Sequence, residues 1–289
     1  MGDTSIECRQ LTKVFDTFIL GPVDAEFPKG NITGIFGPNG AGKSTLISLL
    51  MGITEKDDGE VYSGRRFTCG GVFEQAFLLP HTRVIDQIEG LCLALKRSKE
   101  MRDRVIEECN LSPYLSHRVK NLSTGNKQRL ALTLALIQDP DIFIFDEPLN
   151  GLDPDGIEWL NGKLKVLASN RKIIIFATHL LAEAEEIVDR CLFLVEGQVI
   201  YQGNIESIIG SMEHLDRYIC LEPSSLTTES ARRNVVYRDK SWIYVYELNG
   251  RSEALSLAEV SGRNIGRISL AALYHLKTHD FRVSRGLTT

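Results

Sequence analysis

Nine residues in the first fifth of the chain, Gly37 to Thr45, read GPNGAGKST and match the pattern GxxxxGK[ST]. Glycines let the backbone curl until successive N–H groups point inward, and such a concave row of donors binds phosphate. Lys43 would add a charge that reaches the β- and γ-phosphates, and the Ser44 hydroxyl would bind Mg²⁺. The pattern therefore predicts a nucleotide-binding loop. Its residues are Gly37, Pro38, Asn39, Gly40, Ala41, Gly42, Lys43, Ser44 and Thr45.

Two adjacent carboxylates, Asp146 and Glu147, follow the apolar run IFIF. An aspartate at this place can hold Mg²⁺ together with the Ser44 hydroxyl, which completes a P-loop nucleotide site. A glutamate beside the γ-phosphate can accept a proton from an attacking water molecule, which is typically worth about 10²- to 10⁴-fold in rate. We therefore predict a site that hydrolyses a nucleoside triphosphate with Mg²⁺, with Glu147 as the general base.

The elements that must position these residues alternate between short apolar runs and helical patterns. Continuous apolar residues are typical of strands that are buried on both faces of a parallel sheet. Such runs occur at 32–36, 142–145, 173–177 and 192–195. Helical patterns occur at 43–50, 102–110, 127–137, 157–168 and 181–188. This alternation predicts an α/β fold with the loop and the two acids at the ends of strands.

The composition is that of a globular protein with a sizeable core, since 43% of the 289 residues are hydrophobic and 25% are charged. No run of eighteen apolar residues predicts a membrane span, and the polar start MGDTSIECRQ does not resemble a secretory signal. The net charge of −5 argues against a nucleic-acid partner. The six cysteines form no CxxC pair, so neither a zinc site nor a redox motif is predicted.

The stretch LSTGNKQRL, at 122–130, lies between the phosphate loop and the acidic strand end. In this order the three motifs resemble those of the ATPase subunit of an ABC transporter, whose signature loop reads LSGGQ. Gly151-Leu152-Asp153 resembles the D-loop of that family, and His179 resembles its switch histidine, a second catalytic residue beside Glu147. The resemblance covers about residues 5–210.

The resemblance implies a fold and a nucleotide. The fold is a central, mostly parallel sheet with an antiparallel β-subdomain and a helical subdomain at about 80–130, all within a domain of residues 1–212. The nucleotide is ATP with Mg²⁺. Phe15 stands where the family carries an aromatic residue that stacks on adenine, and Phe18 is the alternative.

The family also implies a second ATPase chain. Its signature loop closes on the γ-phosphate of the ATP that the other subunit of a two-fold dimer holds, where a helix N-terminus favours the phosphate. Ser123, Gly125, Asn126 and the D-loop residue Asp153 are therefore expected at that ATP. Thr124 and Asn126 depart from the glycine and the glutamine of LSGGQ. A homodimer is favoured, and a heterodimer with a related chain remains open.

A glutamine that senses the transmembrane partner is a further feature of the family. Counting back from the sequence LLPH at 78–81 places this residue on Glu74, with Gln75 one position late. Either the loop shifts by one residue and Gln75 contacts nucleotide and metal, or Glu74 takes that place. The sequence leaves both open.

Residues 213–289 differ in character, with polar stretches between short strands such as WIYVYEL, and are predicted to form a small α+β appendage. Within it, SLAALYHLKTHD resembles the closing helix of type-2 exporter ATPases. The matching residues are Leu270, Leu273, Tyr274 and Leu276. The same spacing also suits an ordinary amphipathic core helix.

The resemblance implies ATP binding and hydrolysis that power a transporter, with export favoured by the tail. Its permease would be a separate chain, and the ATPase would lie on the cytoplasmic face of the cell membrane, without nucleic acid as a partner. A soluble ABC-type ATPase acting on ribosomes or DNA is the alternative. It is disfavoured by the single phosphate loop and by the lack of sustained heptads before the signature. A non-hydrolysing regulatory module is disfavoured because Glu147 and His179 are both present.

Overall fold

The computed structural model describes residues 5–63, 67–72, 78–205, 218–221, 235–238, 243–246 and 270–285. The chain divides into two compact units, Met1–Val199 and Ile200–Thr289. The domain boundary after residue 212 stays a prediction.

The described strands and helices alternate through the first unit. The strands of the chain are β1 (Ser5–Phe15), β2 (Phe18–Pro28), β3 (Ile32–Phe36), β4 (Asp58–Ser63), β5 (Cys69–Val72), β6 (Ile142–Asp146), β7 (Ile173–Thr178), β8 (Arg190–Val195), β9 (Gln198–Asn204), β10 (Tyr218–Leu221), β11 (Val235–Arg238) and β12 (Ile243–Tyr246). The helices are α1 (Lys43–Leu50), α2 (Val84–Ala94), α3 (Lys99–Glu108), α4 (Thr124–Gln138), α5 (Pro154–Ser169), α6 (Leu181–Ala184) and α7 (Leu270–Ser284).

The central sheet has the strand order β5-β6-β7-β3-β8-β9. The pairs β5–β6, β6–β7, β7–β3 and β3–β8 are parallel. Every residue of β3 and β7 is buried, as is the run IFIF of β6. The prediction of a parallel sheet from continuous apolar runs is confirmed, since such strands are covered on both faces.

A second, antiparallel sheet has the order β2-β1-β4. Its inner face packs in one core with α1 and with residues of the central strands. Leu11 of β1, Leu20 of β2, Leu46 of α1 and Ile35 of β3 are all completely buried in that core. The predicted antiparallel β-subdomain is thus present, and its β1–β2 hairpin lies beside the start of α1.

Helices α2, α3 and α4 share a separate apolar core, which confirms the predicted helical subdomain. Val105 and Ile106 of α3 are buried in it. Leu91 is partly buried, whereas Leu93 is 83% exposed and Leu95 42% exposed. The apolar residues of this subdomain therefore separate into core and surface positions.

Four helices differ from their predicted bounds, among them α5, which begins at Pro154 rather than at residue 157 with Asp153 as its cap. Helix α4 begins at Thr124 rather than at residue 127, because the Ser123 hydroxyl accepts a hydrogen bond from the Asn126 N–H at 3.3 Å and caps the helix three residues earlier. Helix α3 spans Lys99–Glu108 rather than 102–110, with Ser98 as its cap. The segment predicted as helix at 181–188 is helical only over Leu181–Ala184 and continues as turns.

The second unit contains a three-stranded antiparallel sheet of order β10-β12-β11 and the helix α7. The four residues that carry the tail resemblance are all buried along α7: Leu270, Leu273, Tyr274 and Leu276. The predicted α+β character of this appendage agrees with the structure. Among the residues that the structure describes, no helix combines the length and the apolar character needed to cross a membrane.

Candidate functional site

Three neighbouring strands of the central sheet end at one edge. Strand β3 leads into the phosphate loop, β6 ends at Asp146, and β7 ends at Thr178. The registers bring Phe36 opposite Thr178 and Asp146 opposite Ala177. Parallel strands place their carboxyl ends together, and ligands of open α/β sheets bind outside that edge. The loop, the two acids and His179 are therefore brought into one group, as the sequence predicted.

The phosphate loop depends on glycines at close approaches. A Cβ on Gly37 would lie 2.2 Å from the Leu194 carbonyl oxygen, and Gly42 has a φ of +104°, which disfavours any side chain. The loop is held by a hydrogen bond from the Gly197 N–H to the Ala41 carbonyl at 3.0 Å. Within the described residues no side chain caps α1, which follows Gly42. The N–H groups of its first turn are thus available to an anion.

Lys43 lies inside this loop and is only 7% exposed. Its Nζ donates to the Gly37 carbonyl at 2.8 Å and lies 3.3 Å from the Pro38 carbonyl. The same ammonium lies 3.7 Å from the Glu147 Oε1. A buried ammonium with carbonyl and carboxylate neighbours can exchange a carbonyl for a phosphate oxygen without leaving the loop.

Ser44 and Asp146 meet across the sheet edge. The Ser44 hydroxyl donates to the Asp146 Oδ2 at 2.8 Å. A hydroxyl and a carboxylate are hard oxygen ligands of the kind that Mg²⁺ binds beside phosphates. The two residues predicted to hold the metal are therefore in contact, and their chemistry fits the ion.

Glu147 has a main chain that is unusual for a residue with a side chain. Its φ is +49°, in the left-handed region, and its N–H donates to the Ala177 carbonyl at 2.8 Å. Such a conformation costs about 1–3 kcal/mol and is concentrated at functional sites. It turns the chain at the end of β6, and the carboxylate points toward the end of β7, where both of its oxygens find partners.

Each Glu147 oxygen has its own partner. Oε2 accepts a hydrogen bond from the Thr178 hydroxyl at 3.0 Å, and Oε1 lies 3.0 Å from the His179 Nδ1. Because an ionised carboxylate only accepts, the Nδ1 of His179 carries the proton in this contact. The predicted pair Glu147 and His179 is thus in contact. Sequence reasoning missed Thr178, although it directly precedes His179 at the strand end.

Phe15 and Phe18 lie at the two sides of the β1–β2 turn. Their rings stack with centroids 6.4 Å apart and an interplanar angle of 30°. Phe18 lies toward Gly42, because a Cβ there would come within 2.8 Å of its ring. Phe15 is 43% exposed, and the Lys13 ammonium lies 5.8 Å from its ring. Phe18 therefore lies next to the start of α1, and Phe15, which stacks on it, is the more open to a ligand.

The signature residues and the D-loop form a second group. A Cβ on Gly151 would lie 2.7 Å from the Thr124 Cγ2, and one on Gly125 would lie 3.6 Å from the Leu152 Cδ2. Asp153 caps α5 by accepting a hydrogen bond from the Gly156 N–H at 2.8 Å. The hydrogen bonds of Ser123 and Asp153 given above stay within their own helix starts. The structure therefore places the signature and the D-loop against each other within one chain.

The two candidates for the partner-sensing residue, Glu74 and Gln75, lie outside the described residues. Close to that segment in sequence, an apolar groove of about 700 Å³ lies between α2, α4 and β5. It is lined by apolar side chains that include Ile53, Leu79, Leu91 and Leu134. Ile53 is 63% exposed and Leu79 58% exposed. Exposed apolar residues that border one groove are typical of a protein-binding surface.

The chain is similar in sequence to known ATP-binding proteins of transporters. The family model described as ABC transporter matches residues 20–150. The lantibiotic transport ATP-binding protein SrtF of Streptococcus pyogenes is 32% identical over 206 residues, which are 67% of this chain and 90% of that protein. The uncharacterised ABC transporter ATP-binding protein YdbJ of Bacillus subtilis is 27% identical over 272 residues, 89% of this chain and 83% of that protein.

Two solved structures are similar to this chain over about 70% of its length. A structure of the ATP-binding subunit of an ABC transporter has a TM-score of 0.65 and 26% identity, covering 71% of this chain and 92% of that one. The dimeric structure of MJ0796, a bacterial ABC transporter cassette, has a TM-score of 0.61 and 27% identity, covering 69% and 98%.

Proposed function

Since this chain belongs to the family of ABC transporter ATP-binding subunits, we propose that it powers export through a separate membrane permease by hydrolysing Mg-ATP in a dimer. The protein is an ATPase, and its hydrolysis of ATP drives transport. The main support for the proposed site is that its charged and polar side chains lie in contact at one edge of the sheet. These residues are Lys43, Ser44, Asp146, Glu147 and His179.

Each side chain of the site has a separate role in the proposed hydrolysis. The N–H groups at the start of α1 and the Lys43 ammonium bind the β- and γ-phosphates. Ser44 and Asp146 would hold the magnesium ion, which would neutralise charge on the phosphate oxygens. Glu147 accepts the proton of the attacking water, and His179, whose Nδ1 donates to Glu147, holds one oxygen of that carboxylate. Phe15 stacks on the adenine ring.

The second group supplies the other face of the site in a dimer. Ser123 and Thr124 are exposed, and Asn126 is partly exposed, at the N-terminus of α4, the end of a helix that favours a phosphate. The cassette MJ0796, which this chain resembles, was solved as a dimer. In a two-fold arrangement Ser123, Gly125, Asn126 and Asp153 of each chain contact the ATP of the other. Homodimerisation is the simplest such arrangement.

The first experiment measures the turnover and the mass of Glu147→Gln with and without Mg-ATP. We expect turnover to fall about 10²- to 10⁴-fold, because Gln cannot accept the proton. Bound ATP should persist and convert the variant from monomer to dimer. Undiminished turnover would remove Glu147 as the base. A variant that binds ATP yet remains monomeric would contradict self-association and direct attention to a second ATPase chain.

The apolar groove between α2, α4 and β5 is proposed to dock a cytoplasmic helix of the permease. Its volume and exposed apolar rim suit an amphipathic helix, which binds such grooves by apolar anchors. This contact would hold the ATPase at the inner face of the membrane. Export as the direction is supported by the match of α7 to the exporter tail and by the lantibiotic transport named for SrtF.

Leu79→Glu tests the docking, with Leu93→Glu as its control. Both leucines are exposed, but only Leu79 lines the groove. We expect Leu79→Glu to reduce recovery of the protein with membranes of the native cells while its ATP binding is retained. Leu93→Glu should behave as the unmodified protein. Equal loss in both variants would indicate a general surface effect and would count against the groove.

A further inference from the structure

Thr178 bonds the carboxylate of Glu147 but belongs to none of the predicted motifs. The geometry points to Thr178 as a positioning residue that aims the Glu147 carboxylate, an inference that rests on the role proposed for Glu147 above. Thr178 is the last residue of β7 and is completely buried. Its hydroxyl bonds the Glu147 carboxylate, so its effect on the reaction is exerted through that carboxylate.

The direction of the Thr178 hydroxyl is determined by the backbone. The Leu180 N–H donates to the Thr178 Oγ1 at 3.1 Å, and Oγ1 lies 3.0 Å from the Glu147 Oε2. An N–H group only donates, so the hydroxyl oxygen must accept from Leu180. The single hydroxyl proton is therefore directed to the carboxylate. A buried hydroxyl arranged in this way is a fixed donor that faces one oxygen of Glu147.

This donor leaves the attacking water to the other oxygen, Oε1, which keeps a second lone pair beside its contact with His179. With Oε2 bound to Thr178, Oε1 lies on the side of His179, at 3.0 Å, and of Lys43, at 3.7 Å. The main chain of Glu147 is held by the same strand, through its bond to the Ala177 carbonyl at 2.8 Å. Both ends of the residue are thus fixed by consecutive residues of β7. A base that is held in one orientation needs no reorganisation when water attacks.

Removing the hydroxyl should therefore lower kcat and leave KM for Mg-ATP unchanged. A buried hydrogen bond to a charged group accounts for about 10- to 100-fold in an equilibrium or rate constant. A hydroxyl that merely stabilised the fold would instead lower thermal stability and ATP binding together with turnover. The separation of kcat from KM distinguishes positioning from folding.

The experiment compares side chains at position 178 that carry a hydroxyl group with side chains that lack one. Thr178→Val replaces it by a methyl group in a similar shape, and Thr178→Ser retains it while losing a methyl group. Thr178→Ala against Thr178→Ser repeats the comparison with smaller side chains in case the valine variant does not fold. The control is Thr33→Val in β3. Thr33 is 1% exposed, pairs in register with Ile175 of β7, and its hydroxyl has no hydrogen-bond partner within the described part of the chain.

We expect Thr178→Val and Thr178→Ala to lower kcat about 10- to 100-fold with KM within twofold, while Thr178→Ser and Thr33→Val stay within about threefold of the unmodified protein. In a Glu147→Gln background, Thr178→Val should lower residual turnover no further. Near-normal kcat in Thr178→Val, or equal losses in the serine and alanine variants, would overturn the inference. Full turnover in Glu147→Gln would overturn the proposed base and, with it, the inference. A slow Glu147→Gln together with a near-normal Thr178→Val would overturn the inference alone, so the two failures are distinguishable.

Discussion

The phosphate-loop region and the signature region differ in how many of their polar groups have hydrogen-bond partners within the same chain. At the sheet edge, the polar groups of Lys43, Ser44, Glu147 and His179 contact one another or the adjacent backbone, and Lys43 is buried. At the start of α4, the Ser123 hydroxyl accepts from the Asn126 N–H of its own helix turn, and Thr124, Gly125 and Asn126 after it are exposed or partly exposed. The first region is preorganised within the chain, and the second presents donors outward.

The difference has a physical origin in the elements that carry the two regions. Strand ends of a parallel sheet are brought together by backbone pairing that the core holds in register. A helix N-terminus needs only one capping side chain to form, and its remaining N–H groups stay available. We therefore expect substitutions in the first region to change binding or stability of a single chain, and those in the second to change dimerisation.

The largest effect is expected from Lys43→Ala. The substitution removes a buried cation and leaves the Glu147 carboxylate without it, so the Kd for Mg-ATP should rise about 100-fold or more. Calorimetric titration with Mg-ATP measures this. The control is Lys172→Ala, which removes a lysine that bonds Asp139 and the Pro140 carbonyl instead. Unimpaired ATP affinity in Lys43→Ala would contradict the phosphate loop as the nucleotide site.

A glycine in each region gives the next contrast. Gly42→Ala should lower the free energy of unfolding by about 2 kcal/mol, because φ is +104° and the new Cβ would come within 2.8 Å of the Phe18 ring. Gly125→Ala should change it by less than about 1 kcal/mol, since the nearest atom, the Leu152 Cδ2, is 3.6 Å away. Urea denaturation of the monomers measures both. Equal destabilisation would remove the distinction between a strained loop and an open helix start.

Two serine caps test whether the signature acts beyond its own helix. Ser123→Ala and Ser98→Ala each remove a side chain that accepts a backbone N–H, from Asn126 and from Met101. Each should destabilise its helix by about 1 kcal/mol. Only Ser123→Ala should also weaken ATP-dependent dimerisation in the Glu147→Gln background, measured by mass in solution. Equal dimerisation of both variants would limit Ser123 to capping.

The smallest effect is expected from the aromatic pair, and it decides between Phe15 and Phe18. Phe15→Ala should weaken ATP binding by about 1 kcal/mol, or roughly fivefold, because stacking on adenine is lost. Phe18→Ala should act mainly on stability, since its ring packs toward Gly42. Fluorescence titration with ATP and thermal unfolding separate the two effects. The reverse result would assign the adenine contact to Phe18.

Much of the fold and of the first region follows from local sequence. The phosphate loop, the acids after IFIF and the buried strands were predictable, because backbone curvature, metal chemistry and two-sided burial each demand particular residue types in consecutive positions. The α/β fold class could be predicted, and was confirmed, because strands buried on both faces read as continuous apolar runs. The start of α4 was misplaced by three residues, because the Ser123 side chain caps the helix at Thr124.

The sequence by itself determined which residues could bind phosphate, metal and water, since these are properties of side chains in a short motif. Only the tertiary structure decided that Thr178 donates to Glu147 and that Thr124 lies against Gly151. It also decided that Leu93 faces solvent while Val105 is buried. Such contacts join segments that are far apart in the chain, and such burial depends on which side of its own helix a residue occupies. Packing of the whole domain determines them, and no local pattern records them.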